Sequence, residues 1–148
     1  MSGYFNKIVV PISGSEAAHK AAKEAVRMAG SMGAEILAIH VVKSFDVQKY
    51  GELTHEDEYA ILKKMNISGE KYLAYISEYA KKHDVPIKTF LKQGIPAEEI
   101  IGLAKTENAD LIAIGSVGGT GMRTQIIGST TDRVIRWATG IPVLVITF

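Results

Sequence analysis

The sequence predicts an α/β protein built on a doubly wound, parallel five-stranded sheet with helices on both faces. Short β-branched runs alternate with longer helical patterns from end to end, which is how repeated βαβ units read in one dimension. Four of the five runs, IVV, ILAIHVV, LIAIG and VLVIT, are apolar almost without interruption, as strands are when helices cover both of their faces. Right-handed crossovers then follow from the handedness of such units.

The strands are predicted at residues 7–11, 36–42, 87–92, 111–115 and 143–148, and the third, IKTFLK, alternates in polarity as an edge strand does. Ala17, Ala18, Ala21, Ala22, Ala25, Val26 and Ala29 form one face of a first helix, opened by Ser13-Gly14-Ser15-Glu16 as a capping box. A second helix is predicted from about residue 55 to 83, with Tyr59, Leu62, Met65, Tyr72, Leu73, Ile76 and Ala80 inward and Gly69 as a point of bending or breakage. Pro96 at a first helical position, followed by Glu98 and Glu99, starts a third whose Ala97, Ile100, Ile101 and Ala104 face the core. The last helix runs from about 129 to 139 and is stopped by Gly140 and Pro142. Residues 43–54 read as a long polar connection beside the carboxyl end of a strand.

A chain of 148 residues supports one core, so a single domain spanning 1–148 is predicted. A hydrophobic fraction of 47% and a charged fraction of 22% belong to a globular chain, and no apolar run is long enough to cross a bilayer. The amino-terminal stretch is apolar only briefly before Pro11, too short for a signal peptide, which predicts a cytoplasmic protein. The absence of cysteine excludes disulfides and thiolate chemistry, and a net charge of +1 favours neither nucleic acid nor a membrane as partner.

The chemistry concentrates in the loop after the fourth strand, from Gly115 to Thr131. In open parallel sheets ligands bind outside the carboxyl ends of the strands. Glycines let backbone N–H groups approach an anion, and the helix that follows adds unpaired donors and a positive dipole end. Ser129, Thr130 and Thr131 add hydroxyls that either cap the helix or reach phosphate oxygens. The loop thus reads as a phosphate cradle, and Arg123 within it points either at a phosphate or at water.

Within this loop Gly115, two residues, Gly118, nine residues and Gly128-Ser129 form a spacing that resembles G-x2-G-x9-G-[S/T], the ATP-binding signature of the universal stress protein family. The resemblance extends along the chain through KIVVPISGSE, ILAIHVV, GIPAEEI, ADLIAIGSVG and GSTTDRVIRWATGIPVLVI. It implies a Rossmann-like sheet of order 3-2-1-4-5, a homodimer, and ATP or AMP as ligand, with Mg2+ when ATP is bound. Carried over by position, adenine and ribose lie against Pro11, Ile12, Ser13 and Val41. The phosphates lie against Gly115, with Ile114 before it, and against Gly118, Gly128, Ser129 and Thr130, with Thr131 close behind. No catalytic residue and no protein-held metal are implied.

Position 13 departs from that pattern. Nucleotide-binding relatives place an aspartate there, as in P-x-D-x-S, whereas this turn reads Pro11-Ile12-Ser13-Gly14-Ser15. One hydrogen bond to a charged acceptor is lost, roughly 1.5–3 kcal/mol. Ser13 then reads either as the cap of the first helix or as a ligand contact.

Other signals carry less. No Gly-Lys pair occurs, so there is no Walker loop, and His55-Glu56-Asp57-Glu58-Tyr59 lacks the second histidine of a zinc-protease motif. His40, inside an apolar strand, reads as a satisfied core residue. The sequence thus predicts a dimeric adenine-nucleotide-binding module in stress response or signalling, with at most slow ATP hydrolysis, paired through Val143-Leu144-Val145-Ile146-Thr147-Phe148. The alternatives are a dedicated nucleotide-processing enzyme, for which Asp132 and Glu16 are the nearby carboxylates, and an apo interaction domain that has lost its ligand.

Overall fold

The computed structural model describes residues 3–117 and 127–147. Along the chain run β1 (Lys7–Pro11), α1 (Glu16–Met32), β2 (Glu35–Lys43), α2 (Ser44–Thr54), α3 (Glu58–Lys82), β3 (Ile87–Gly94), α4 (Pro96–Thr106), β4 (Leu111–Gly115), α5 (Ser129–Trp137) and β5 (Val143–Ile146). The strands form one sheet of order β3-β2-β1-β4-β5, every neighbouring pair parallel. Winding proceeds one way from β1 to β3 and the other way from β4 to β5, so the strand order reverses between β1 and β4.

The two-residue period of the strands divides the core between the faces of the sheet. Ile8, Val10, Ile36 and Ala38 pack with Ala22, Ala25, Val26 and Ala29 of α1 and with Leu73, Ile76 and Ala80 of α3. Val9, Leu37, Ile39 and Ile112 pack on the other face with Ala97, Ile100 and Ala104 of α4 and Val134 of α5. The small side chains of α1 bring its axis close to the sheet: Ala22, Ala25 and Ala29 are buried.

Three expectations are corrected. Residues 44–54 are not a loop but the helix α2, whose only buried side chain is Val47; a helix with one inward residue leaves almost no periodic signal in the sequence. It ends at His55 in the left-handed conformation (φ 58°), and Asp57 starts α3 by accepting from the Tyr59 amide at 3.4 Å. The helix expected from about residue 55 to 83 is α3, Glu58–Lys82, which starts just after that break. Tyr59 points outward, 73% exposed, and Ile61 is buried instead, because the inward line of α3 runs through Ile61, Gly69, Leu73, Ile76 and Ala80.

Gly69 neither bends nor breaks α3, which is continuous from Glu58 to Lys82. A Cβ at position 69 would lie 2.5 Å from His40 Cδ2 and 2.8 Å from Leu91 Cδ1. The glycine is a close-approach point where α3 crosses β2 and β3.

Candidate functional site

β1 ends at Pro11, and the chain leaves the sheet through Ile12, Ser13 and Gly14. The α1 cap is Ser15, whose hydroxyl accepts from the Ala18 amide at 3.1 Å. Ser13 is therefore not the cap: its Oγ lies 3.1 Å from Ser15 Oγ and accepts from the Ser15 amide at 3.3 Å, which shapes the turn. Gly14 lies close under Tyr72: a Cβ there would stand 2.7 Å from the Tyr72 hydroxyl, so the tyrosine would have to shift.

On the other side of β1, β4 ends at Gly115 and two bonds tie the strand to the start of α5. The Gly128 amide donates to the Ser116 carbonyl at 2.7 Å, and Thr131 Oγ1 donates to the Gly115 carbonyl at 2.7 Å. The first helical bond of α5 is Asp132 N–H to the Gly128 carbonyl, and among the described residues no side chain caps the helix. The amides of Ser129, Thr130 and Thr131 thus lack intrahelical partners, as at any helix start.

Between these two strand ends lies a pocket of about 460 Å³. Pro11, Ile12, Ser13 and Val41 line it, and so do Ile114, Gly115, Thr130 and Thr131. Gly128 is buried and Ser129 exposed, and neither lines it. Gly118 and Arg123 lie outside the described residues.

Sequence reasoning missed the outer wall. His40, Lys43, Asp46, Lys64, Ser68 and Tyr72 also line the pocket, from β2, α2 and α3. His40 Nδ1 donates to the Ile12 carbonyl at 2.8 Å, so the proton sits on Nδ1 when the ring is neutral. Tyr72 packs edge-on against that ring, centroids 5.3 Å apart. Gly69, the one gap in the inward line of α3, was the available signal, because it marks where a bulky group of the sheet comes through.

Behind Tyr72 stands His19 of α1, edge-on to Tyr75 at 4.9 Å. Its Nδ1 is buried without a hydrogen-bond partner. Burial first, and the positive charge of Lys23 second, hold its pKa below the ordinary value. Lys23 lies over the Tyr75 ring, 5.3 Å from its centroid.

Among the described residues no cluster of three or more His, Cys, Asp or Glu side chains could hold a metal, and no helix is long and apolar enough to cross a membrane.

Comparison with known proteins agrees with this architecture. Residues 5–147 match the sequence model of the universal stress protein family. The universal stress protein MJ0531 of Methanocaldococcus jannaschii is 36% identical over 143 residues, covering 96% of this chain and 82% of that protein. The solved structure of MJ0577, from the same organism, superposes with a TM-score of 0.84 at 27% identity, covering 97% of this chain and 96% of that one. A universal stress protein from Archaeoglobus fulgidus solved in complex with dAMP shares the fold at 19% identity, with a TM-score of 0.66 and coverage of 96% and 97%. The parallel sheet of order 3-2-1-4-5 and the match along nearly the whole sequence agree: the chain belongs to the universal stress protein family.

Proposed function

We propose that this protein binds an adenine nucleotide, ATP or AMP, in the pocket at the carboxyl ends of β1, β2 and β4, and works as a dimeric stress-response or signalling module with at most slow ATP hydrolysis. The observation that carries this reading is that one pocket is lined both by Val41 and by Gly115, Thr130 and Thr131. Val41 belongs to β2 and Gly115 to β4, the two neighbours of β1, so the two ends of the pocket lie about two strand spacings apart, on the order of 10 Å.

The β4 end suits phosphate. It offers the start of α5, whose first amides have no intrahelical partner and which, among the described residues, no side chain caps, together with its positive dipole end. In this reading Gly115 and Thr130 contact phosphate, Thr131 stands close behind with its hydroxyl given to the Gly115 carbonyl, Ile114 backs them, and Gly118, Gly128 and Ser129 complete the cradle. The Gly128 amide is already given to Ser116, so its contribution is the absence of a side chain.

The β2 end suits adenine. Ile39 gives its carbonyl to Ile12 N–H, toward β1, so two residues further on Val41 turns its own N–H and C=O to the same side. Pairing between β1 and β2 has ended there, at Pro11 opposite Ile39. A donor and an acceptor side by side match the N6 amino group and adjacent ring nitrogen of adenine, whereas guanine presents two acceptors, O6 and N7, on the corresponding edge. The ribose then lies against Pro11, Ile12 and Ser13. The dAMP complex of the Archaeoglobus fulgidus relative supports a nucleotide of this class.

Mg2+ accompanying ATP would be held mainly by phosphate oxygens and water, its usual environment in nucleotide sites. The two carboxylates that the sequence offered for catalysis are engaged elsewhere: Asp132 pairs with Arg136 at 3.1 Å and Glu16 with Lys20 at 3.3 Å, each within its own helix, and neither lines the pocket, where the carboxylate is Asp46 of α2 on the outer wall. The absence of both sequence candidates from the pocket lining favours a binding module over a dedicated enzyme built on them. Dimerisation is assigned to β5, an edge strand of the sheet among the described residues, whose residues 143–146 are all half-buried, while Ile135 and Trp137 of α5 are exposed.

Calorimetric titration with AMP, ATP and GMP, together with mass spectrometry of small molecules released from freshly purified protein, tests the reading. Adenine nucleotides should bind and GMP bind more weakly; no heat from AMP or ATP at millimolar concentration, with none co-purified, would overturn it.

A further inference from the structure

We infer that His40 is a positioning residue that keeps the backbone of Val41 open to a ligand by taking the Ile12 carbonyl for itself. The inference rests on the reading of Val41 as the base-recognising edge and adds the device that maintains it.

In a parallel ladder a residue that donates to one carbonyl on its neighbour accepts from the amide two residues further on. Ile12 N–H donates to the Ile39 carbonyl at 2.8 Å, so the next rung would run from Val41 N–H to the Ile12 carbonyl. That rung is not formed, for the β1–β2 register ends at Pro11 opposite Ile39. The Ile12 carbonyl accepts instead from His40 Nδ1, at 2.8 Å. A carbonyl can accept twice, so occupancy alone would not forbid the rung. What forbids it is the combination: the imidazole draws the carbonyl out of the ladder direction, and the chain turns away at Ser13.

The imidazole is itself fixed from α3. Gly69 lets the helix lie against the ring, and Tyr72 covers it edge-on at 73° to its plane. Tyr72 in turn fits over Gly14, in the turn that follows Ile12. The group that holds Ile12 is thus braced by the helix that walls the pocket, and the same arrangement sets both the turn and the unpaired edge of Val41.

Two readouts separate this inference from the proposed function. The first needs no ligand: amide hydrogen exchange, residue by residue, on the free protein. Val41 N–H should exchange much faster than Ile39 N–H in the native chain. In His40→Leu, which has no donor, Val41 should become protected by at least about tenfold as the rung closes, whereas His40→Asn, which keeps a donor near the Nδ1 position, should behave like the native chain. A native Val41 amide as protected as Ile39, or one unchanged in a folded His40→Leu, overturns the inference whether or not any nucleotide binds. The second is titration with AMP and GMP. His40→Leu should lose about tenfold in AMP affinity and most of its preference over GMP, and His40→Asn should recover both. Unaltered AMP affinity and preference in His40→Leu also overturn it, whereas a native chain that binds neither nucleotide while Val41 behaves as stated refutes only the function. If His40→Leu fails to fold, the native Val41–Ile39 comparison and the His40→Asn titration still decide.

Discussion

Thr131 Oγ1 donates to the carbonyl of Gly115 at 2.7 Å, joining the last residue of β4 to the first turn of α5 across sixteen residues of chain. Thr131 is 2% exposed, so the bond is shielded from water. Thr131→Val keeps the shape and removes the donor, leaving the Gly115 carbonyl short of a partner, which costs about 1–3 kcal/mol. At about 2–4 °C per kcal/mol for a chain of this size, Tm should fall by several degrees. If phosphate binds where proposed, nucleotide affinity should fall with it, because the bond fixes Gly115 against the start of α5, and Thr131→Ser should restore most of both. Unchanged Tm and AMP affinity in Thr131→Val would show that the tie contributes nothing.

Gly69→Ala tests whether local propensity or packing decides at the crossing of α3 over the sheet. Alanine favours a helix interior by about 1 kcal/mol. Against this, its Cβ would come within 2.5 Å of the His40 ring and 2.8 Å of Leu91, and overpacking of that kind costs typically 1–3 kcal/mol. Packing should win. Chemical denaturation should show a net loss, and a stabilised variant would mean that α3 does not lie this close to His40.

These two sites also show what the sequence made legible. The strands at 7–11 and 111–115 emerged with their full bounds, because buried parallel strands are unbroken apolar runs between sharp punctuation. Of the glycine-rich loop, only its two ends, residues 115–117 and 127–131, fall within the described residues. α2 was not legible: with Val47 as its only buried side chain it carries no period to read. His40 and Tyr72 were read as core, which is half true. Each is partly buried, and their place on the pocket wall depends on α3 crossing β2 at Gly69, a long-range contact whose one local trace is that glycine.

The buried, unpartnered Nδ1 of His19 makes a prediction about acid. With its pKa lowered by burial and by Lys23, the folded state binds fewer protons at this site than the unfolded chain does. The stability His19 contributes as a neutral ring is therefore present above the unfolded value, about 6.5, and is lost as pH falls from there through the folded value. Thermal melts of the native chain and of His19→Leu at pH 7.5 and pH 5.5 check this. The native Tm should drop more between the two conditions than that of the variant, and equal drops would refute it.

The edge of β5 predicts an assembly. Proline at position 145 removes one backbone donor and disfavours a paired strand. Light scattering of the native chain at micromolar concentration should give twice the 16.0 kDa chain mass. Val145→Pro should shift the equilibrium toward monomer. A native monomer contradicts the assignment, and so does a folded Val145→Pro variant that remains fully dimeric.

Ser13→Asp addresses the position at which this chain departs from its nucleotide-binding relatives. The helix α1 is capped by Ser15, through its bond to Ala18, so the substitution leaves the cap in place. An aspartate at 13 can still accept from the Ser15 amide, as Ser13 does at 3.3 Å, and its charge sits favourably before a helix amino terminus. Stability should therefore hold or rise slightly. Toward a ligand, the carboxylate can accept from ribose hydroxyls with a charge-assisted bond, stronger than the neutral one serine offers. A gain near 1.4 kcal/mol is about tenfold in affinity. Repulsion opposes it: phosphates at the β4 end lie within roughly a strand spacing or two, comparable with the screening length of about 8 Å at physiological salt. The gain should then decrease from adenosine to AMP to ATP, as ligand charge grows while the ribose contact stays the same. Titration of all three into both proteins, at one salt and magnesium concentration, reads that order directly. If none of the three binds more tightly to a folded Ser13→Asp, position 13 only shapes the turn and the ribose does not lie against it.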